Sequence, residues 1–257
     1  MEVALITPTP LLSEFAGRSS YHLTLATNIL EDRAYREYYR YRSACGDYVM
    51  LDNCAYELGS SLPALALMQC IQSINPSAMF LPDVRFNMME TLARVEETAW
   101  KFKEATNVKL LAVPQGNSLK EVLHCYDELA KNPSVDGFGI YEEIGDVTGV
   151  GRRADFLKLL ENTGRVINGK TYHCLGMEED VDQVKSLAQF KWVMGVDSAK
   201  PIVYGLHGIS LSNNGPLVPY PHRPSDYFER SDTQFRSVIH HNISMVQSWV
   251  KDPLANI

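Results

Sequence analysis

Residues 109–140 decide the fold. They read Lys109-Leu110-Leu111-Ala112-Val113, then Pro114-Gln115-Gly116-Asn117-Ser118, a mixed run to Lys131, and finally Gly137-Phe138-Gly139-Ile140. The first and last runs are short and apolar, as parallel strands buried on both faces are. Between them Leu119, Val122, Leu123, Tyr126 and Leu129 recur at three- and four-residue steps, which places them on one face of a helix. Ser118 and Glu121 form a capping-box pattern at its start. The segment is one β-α-β unit.

The same beat extends in both directions. Further strands are expected at Val3–Thr7, Tyr48–Asp52, Ala78–Pro82, Thr171–Leu175, Trp192–Val196 and Ile202–Gly205. Asn87 and Glu90 mark the cap of another helix, and a last helix over Gln234–Val250 turns Phe235, Val238, Ile239, Val246 and Trp249 toward the core. Eight units fill nearly all of the 257 residues, and a chain of about 250 residues is the usual size of one closed barrel. The reading is therefore α/β: a single (β/α)8 TIM barrel over 1–257. Its first unit is irregular, because 11–42 holds a loop, a short element and a helix. No Gly-rich dinucleotide fingerprint follows the first strand, which weakens an open doubly wound sheet. The long stretch 210–232, with Asn213-Asn214-Gly215-Pro216 and four prolines in all, follows the last strand and should lie over the barrel mouth.

Composition narrows the class. With 45% hydrophobic and 21% charged residues the chain is an ordinary globular one, not a disordered scaffold. No run approaches the roughly 18 apolar residues of a membrane span, and the opening Met1-Glu2-Val3-Ala4-Leu5 lacks the basic region of a secretory leader. Cys45, Cys54, Cys70, Cys125 and Cys174 are scattered without CxxC spacing, so they read as reduced thiols in a cytoplasm. The formal net charge of -7 disfavours a general nucleic-acid coating protein. A polynucleotide enzyme would need its positive charge gathered on one face.

Active sites of such barrels form where the strands end. Strand ends here carry Asp52-Asn53, Asp83, Gln115-Gly116, Gly139 and Asp197. An Asp after a strand commonly caps the next helix or closes an Asx turn. Asp52 and Asp83 precede no obvious helix start, since Ser60 and Asn87 are better caps, and Asp197-Ser198-Ala199-Lys200-Pro201 does not read as one. Several carboxylates and an amide in one pocket suit substitution at an anomeric carbon, where one carboxylate attacks and another moves protons. They also suit the reading of a purine edge. A divalent metal held by carboxylates, in a hydrolase or lyase acting on a small metabolite, is the competing answer. His173 and His207 lie near strand ends, where a hydrogen-bonded structural role is the commoner one.

Six ordered segments carry a resemblance. They are Val49-Met50-Leu51-Asp52-Asn53-Cys54-Ala55-Tyr56-Glu57, Leu81-Pro82-Asp83, Val113-Pro114-Gln115-Gly116, Gly137-Phe138-Gly139-Ile140, Tyr172-His173-Cys174-Leu175-Gly176 and Met194-Gly195-Val196-Asp197-Ser198. In this order they resemble the tRNA-guanine transglycosylase superfamily, above all its short phage and bacterial DNA 7-deazaguanine transglycosylases. The resemblance implies a (β/α)8 fold and a pentosyltransferase that exchanges guanine for a free 7-deazaguanine, such as 7-cyano-7-deazaguanine. It also implies Asp197 as nucleophile, Asp52 as general acid/base, Asp83 and Gln115 as readers of the base edge, and Gly139 as space for the flat base. Gly116, Tyr56 and Asn53 fall in the same motifs as substrate-binding candidates. No cofactor and no metal is implied.

The chain departs from the tRNA enzymes. Their C-terminal zinc-binding cysteine cluster is missing, their glycine-rich segment after the first Asp is replaced by Asn53-Cys54-Ala55-Tyr56-Glu57, and their RNA-binding modules have no room. DNA is therefore the expected partner, with tRNA-guanine exchange on RNA as the alternative; a homodimer is compatible with either. A duplex base must be extruded to reach such a pocket. Candidate phosphate contacts are Arg85, Arg152, Arg153, Lys200 and Arg223. Residues 33–42 interleave Arg36, Arg40 and Arg42 with Tyr35, Tyr38, Tyr39 and Tyr41, which suits a single strand, although an outer helix with half-buried tyrosines explains them as well. His240 and His241 read as ordinary members of the last helix. A non-catalytic binding subunit of a larger modification complex is the third reading.

Overall fold

Eight strands run parallel around one axis: β1 (Glu2–Leu5), β2 (Tyr21–Leu25), β3 (Tyr48–Asp52), β4 (Ala78–Phe80), β5 (Lys109–Ala112), β6 (Gly137–Tyr141), β7 (Thr171–Leu175) and β8 (Val193–Ser198). The computed structural model describes residues 1–232 and 234–251. Hydrogen bonds link the strands in the order β1-β8-β7-β6-β5-β4-β3-β2, and β1 lies against β2, so the sheet closes almost completely on itself. This is the (β/α)8 TIM barrel.

Helices cover the outside. Leu119–Lys131 buries Val122, Cys125, Tyr126 and Leu129, the face its periodicity marks. The Tyr126 ring stacks on Phe138 of β6 with centroids 4.3 Å apart, and Phe138 in turn stacks on Tyr172 of β7. Each such buried aromatic contributes about 1.5–3 kcal/mol of apolar burial. The expected caps form: Ser118 accepts from the Glu121 N–H and Asn87 from the Glu90 N–H. The last helix spans Arg236–Lys251 and buries Ile239, Ile243, Val246 and Trp249.

The count of eight strands holds, but two of its members differ. Tyr21–Leu25 is a strand inside the irregular first unit, where the sequence pattern marks none. Conversely, Ile202–Gly205 is no strand; it lies in the helix Lys200–Leu206, with Pro201 in its first turn. Pro there lacks only an N–H that the helix start does not use, and Ser198 Oγ accepts from the Lys200 N–H. The segment after Asp197 is thus a helix start after all. The first unit is irregular as expected, with three one-turn pieces, Thr9–Leu11, Leu12–Phe15 and Ala16–Arg18, where a full helix would stand.

The Arg/Tyr run is an outer helix, Arg33–Ala44, with Tyr35 and Tyr39 fully buried. Its arginines are engaged locally: Arg36 donates to the Ile29 carbonyl, Arg40 to Glu37 and Arg42 to Asp47. Among the described residues no helix is long and apolar enough to cross a membrane.

Candidate active site

The C-terminal ends of the strands surround a cavity of about 410 Å³, within the range of about 300–1,000 Å³ usual for small-molecule sites. Asp52, Asp83, Gln115 and Asp197 all line it, together with Asn53, Tyr56, Arg85, Lys200 and Arg223. The stretch 210–232 does reach the mouth, since Tyr220, His222 and Arg223 come from it. Tyr227 further along anchors that stretch by donating to the Ile6 carbonyl.

Asp83 sits between two amides. Asn53 Nδ2 donates to its Oδ1 at 2.7 Å and Gln115 Nε2 to its Oδ2 at 2.7 Å. The other end of each amide is also fixed: Asn53 Oδ1 accepts from the Ala55 N–H and Gln115 Oε1 from the Phe86 N–H. Burial pushes the Asp83 carboxyl up to about 6, while the two amides work the other way. Asn53 and Gln115 therefore orient Asp83, and the carboxylate is the group with acceptor capacity to offer a ligand.

Asp197 is held through one oxygen. Its Oδ1 lies 3.0 Å from His173 Nε2 and accepts from the Gly176 N–H at 2.9 Å. Among the described residues its Oδ2 has no hydrogen-bond partner. Behind it, His173 Nδ1 lies 2.6 Å from the Tyr21 hydroxyl. This Tyr21–His173 pair is the part of the site that the sequence pattern does not disclose. The available signal is a histidine inside a buried strand, with a glycine two residues before Asp197.

Asp52 ends β3, partly open to the cavity. Burial, then the Glu57 carboxylate, then Asp197 and Asp83 hold its carboxyl well above the usual carboxylate range. A carboxyl raised in this direction is suited to donating a proton. Asp52, Cys54 and Glu57 present ligand-type atoms within 4.8 Å of one another. Cys54 is a poor thiolate source, since burial pushes its thiol up to about 12. Backbone outliers flank the cavity: Cys54 and Phe86 hold φ of 63° and 60°, the left-handed region that costs most side chains energy and that clusters at functional sites.

Three of the five candidate phosphate contacts stand on the rim, each paired with a glutamate: Arg85 with Glu143 at 2.8 Å, Lys200 with Glu142 at 3.0 Å and Arg223 with Glu57 at 3.4 Å. The Arg85 guanidinium also lies 4.7 Å from the ring centres of both Tyr56 and Phe86, and Tyr56 is 66% exposed. Arg152 is exposed but outside the cavity lining. Arg153 is a correction. It is 1% exposed, chelates Glu178 through two 2.7 Å bonds, and donates to the carbonyls of Ile140, Leu175 and Gly176. All its donors are engaged inside the fold, so no phosphate can reach it.

Two glycines are also corrected. A Cβ on Gly139 would lie 2.7 Å from the Phe80 ring and 2.9 Å from Leu175, and one on Gly116 would lie 2.7 Å from Glu121 Cβ. Neither residue lines the cavity, and their missing side chains admit protein neighbours. The Gly-rich segment after Thr148 likewise joins the helices Ile144–Thr148 and Arg153–Asn162, folding back on Gly145. His207 is an exposed helix end, and His240 bonds Glu14 on the outer surface.

No protein-family model matches the chain, and no curated protein does. Solved structures of similar shape include N-acetylneuraminate lyase from Mycoplasma synoviae, at 13% identity, covering 77% of this chain and 68% of that one with a TM-score of 0.49. A protein of Aquifex aeolicus VF5 gives 10% identity over 88% and 70% of the two chains, TM-score 0.48. Tryptophan synthase from M. tuberculosis gives 11% over 84% and 68%, TM-score 0.43. At these identities and TM-scores the likeness assigns no residue a role.

Proposed function

We propose that the chain is a base-exchanging transglycosylase that replaces guanine in DNA with a 7-deazaguanine. One observation carries this reading: Asp52, Asp83 and Asp197 meet in one cavity in three different states. Asp197 offers a free carboxylate oxygen beside one held twice, burial and the Glu57 carboxylate raise the proton affinity of Asp52, and Asp83 is an oriented acceptor.

The chemistry follows from those states. Asp197 Oδ2 attacks C1′ of the nucleotide, the C1′–N9 bond breaks, and guanine departs with a proton from Asp52. The entering base then returns its N9 proton to the Asp52 carboxylate, and N9 attacks C1′ as the C1′–Asp197 ester bond breaks. Asp83 accepts from the N–H donors on the base edge. Tyr56 and Arg85 supply a stacking surface at the mouth, and a flipped nucleotide keeps its phosphates near Lys200 and Arg223.

The test is incubation of the chain with DNA and 7-deazaguanines, with RNA in parallel, followed by nucleoside mass spectrometry. Release of guanine from DNA and a covalent adduct on Asp197 are expected. Full exchange by Asp197→Ala would refute the mechanism.

A second reading, a carboxylate–metal barrel hydrolase or lyase on a small metabolite, is favoured by the Asp52, Cys54 and Glu57 grouping. Loss of activity on chelation, with no binding of DNA at low salt, would select it.

A further inference from the structure

We propose that His173 is a positioning residue for Asp197, holding Oδ1 so that Oδ2 faces the reacting carbon, and that the Tyr21 hydroxyl fixes the tautomer His173 needs for this. The proposal rests on the transglycosylase reading.

Three features show that the arrangement is built into the barrel. First, His173 is fully buried, and an imidazole there costs free energy unless both nitrogens are partnered. Both are, at 2.6 Å and 3.0 Å. Second, the ring of Tyr21 occupies the place of a side chain at residue 195: a Cβ on Gly195 would lie 2.4 Å from Tyr21 Cε1. Third, the pairing of β7 with β8 slips between Tyr172 and His173, which sets His173 opposite Gly195. Such irregularities re-aim a side chain next to active sites.

The proton positions follow from the partners. A carboxylate only accepts, so His173 Nε2 carries the proton and donates to Asp197. With a single proton on the ring, at Nε2, Nδ1 accepts and the Tyr21 hydroxyl is the donor. Burial keeps Tyr21 a phenol, well above the ordinary tyrosine range. With the imidazole and the Gly176 N–H both on Oδ1, the carboxylate plane is set and its second oxygen is left toward the cavity.

The experiment compares His173→Asn, His173→Gln and Tyr21→Phe in the DNA guanine-exchange assay, each checked for native thermal unfolding. A Gln amide reaches the Nε2 position, whereas an Asn amide stops near Nδ1. We expect His173→Asn to lose about 100-fold in kcat, the scale of a misplaced reacting group, with KM for the free base unchanged. His173→Gln should recover to within about tenfold of the parent, and Tyr21→Phe should lose about tenfold. A folded His173→Asn with parental kcat, or a Gln variant no better than Asn, overturns the proposal. If the variants do not fold, ¹⁵N spectra of the imidazole in the unaltered chain decide. A proton on Nε2 alone supports the relay; a proton on Nδ1 overturns it. Absence of exchange by the unaltered chain sinks the transglycosylase reading separately, and the same spectra still settle the hydrogen-bond relay.

Discussion

Gln115 Nε2 holds one oxygen of Asp83 at 2.7 Å, the oxygen opposite the one that Asn53 takes. This two-sided grip keeps a buried carboxylate in place, with no cation in direct contact among the described residues. Burial raises its proton affinity from the ordinary 3.8 to about 6. Ionised Asp83 accepts N–H donors and protonated Asp83 loses acceptor capacity. Binding of a guanine-type base should therefore strengthen as pH rises through about 6, and Asp83→Asn should weaken it and flatten the profile. Stability runs the other way. Because the folded-state value lies above the unfolded one, the folded chain binds more protons between about 4 and 6, and this group's contribution declines as pH rises through that window. Calorimetric titration and urea unfolding on both sides of pH 6 check the two halves.

Asp52 provides a second pH signature. Its carboxyl is raised first by burial and next by the Glu57 carboxylate. As the proton donor for guanine departure, it should make exchange fall off on the alkaline side. Glu57→Gln removes the neighbouring negative charge, lowers the proton affinity of Asp52, and should move that alkaline limb to lower pH. Asp52→Asn should cost about 10²–10⁴ in rate, as loss of general acid catalysis does. An unmoved limb in Glu57→Gln would assign the limb to another group.

The barrel and its strand-end acids are legible in the sequence because both rest on local pattern and chain order. Asp52, Asp83 and Asp197 end strands whose positions the apolar runs disclose, and closure of the barrel does the rest. β2 is harder. Tyr21–Leu25 carries His22 and Thr24, polar residues that are buried all the same; His22 pairs with Asp47, a partner that composition cannot reveal. Ile202, Val203 and Tyr204 read as a strand from their side chains, yet all three are buried in a helix whose Gly205 packs against Ile239 of the last helix. Arg153 reads as surface charge until Glu178 closes on it from beyond β7. The Tyr21–His173 contact joins residues 152 apart, so only the closed ring brings it into being.

Gly139 separates packing from ligand seating. An added Cβ would meet Phe80 at 2.7 Å and Leu175 at 2.9 Å inside the barrel. Gly139→Ala should therefore overpack the core and lower stability by about 1–3 kcal/mol. The KM for the free base should change little. Denaturant unfolding beside steady-state kinetics decides; a large rise in KM with parental stability would return Gly139 to the base site.

The arginines at 153 and 223 should fail in opposite ways. Arg153 is buried with Glu178, so Arg153→Met strands an uncompensated carboxylate, a change that costs about 3–5 kcal/mol. It also releases the Gly176 carbonyl that Arg153 holds, loosening the peptide segment whose N–H fixes Asp197. Any folded fraction should bind DNA with an unaltered salt dependence, since Arg153 touches no phosphate. Arg223→Gln breaks the rim pair Arg223–Glu57 and the guanidinium's contacts with the Tyr227 and Phe228 rings, and surface pairs contribute about 0–1 kcal/mol. Lys200→Gln costs more, because Lys200 is mostly buried and donates to the Met177 carbonyl as well as to Glu142. The unfolding curve of Arg223→Gln should therefore stay nearer that of the parent than the curve of Lys200→Gln. Removing a single cation from a phosphate lowers the slope of log affinity against log salt by about one. Filter binding across a salt series would show that drop for Lys200→Gln or Arg223→Gln if DNA lies across this rim, and equal slopes for the parent and both variants would place the nucleic acid elsewhere.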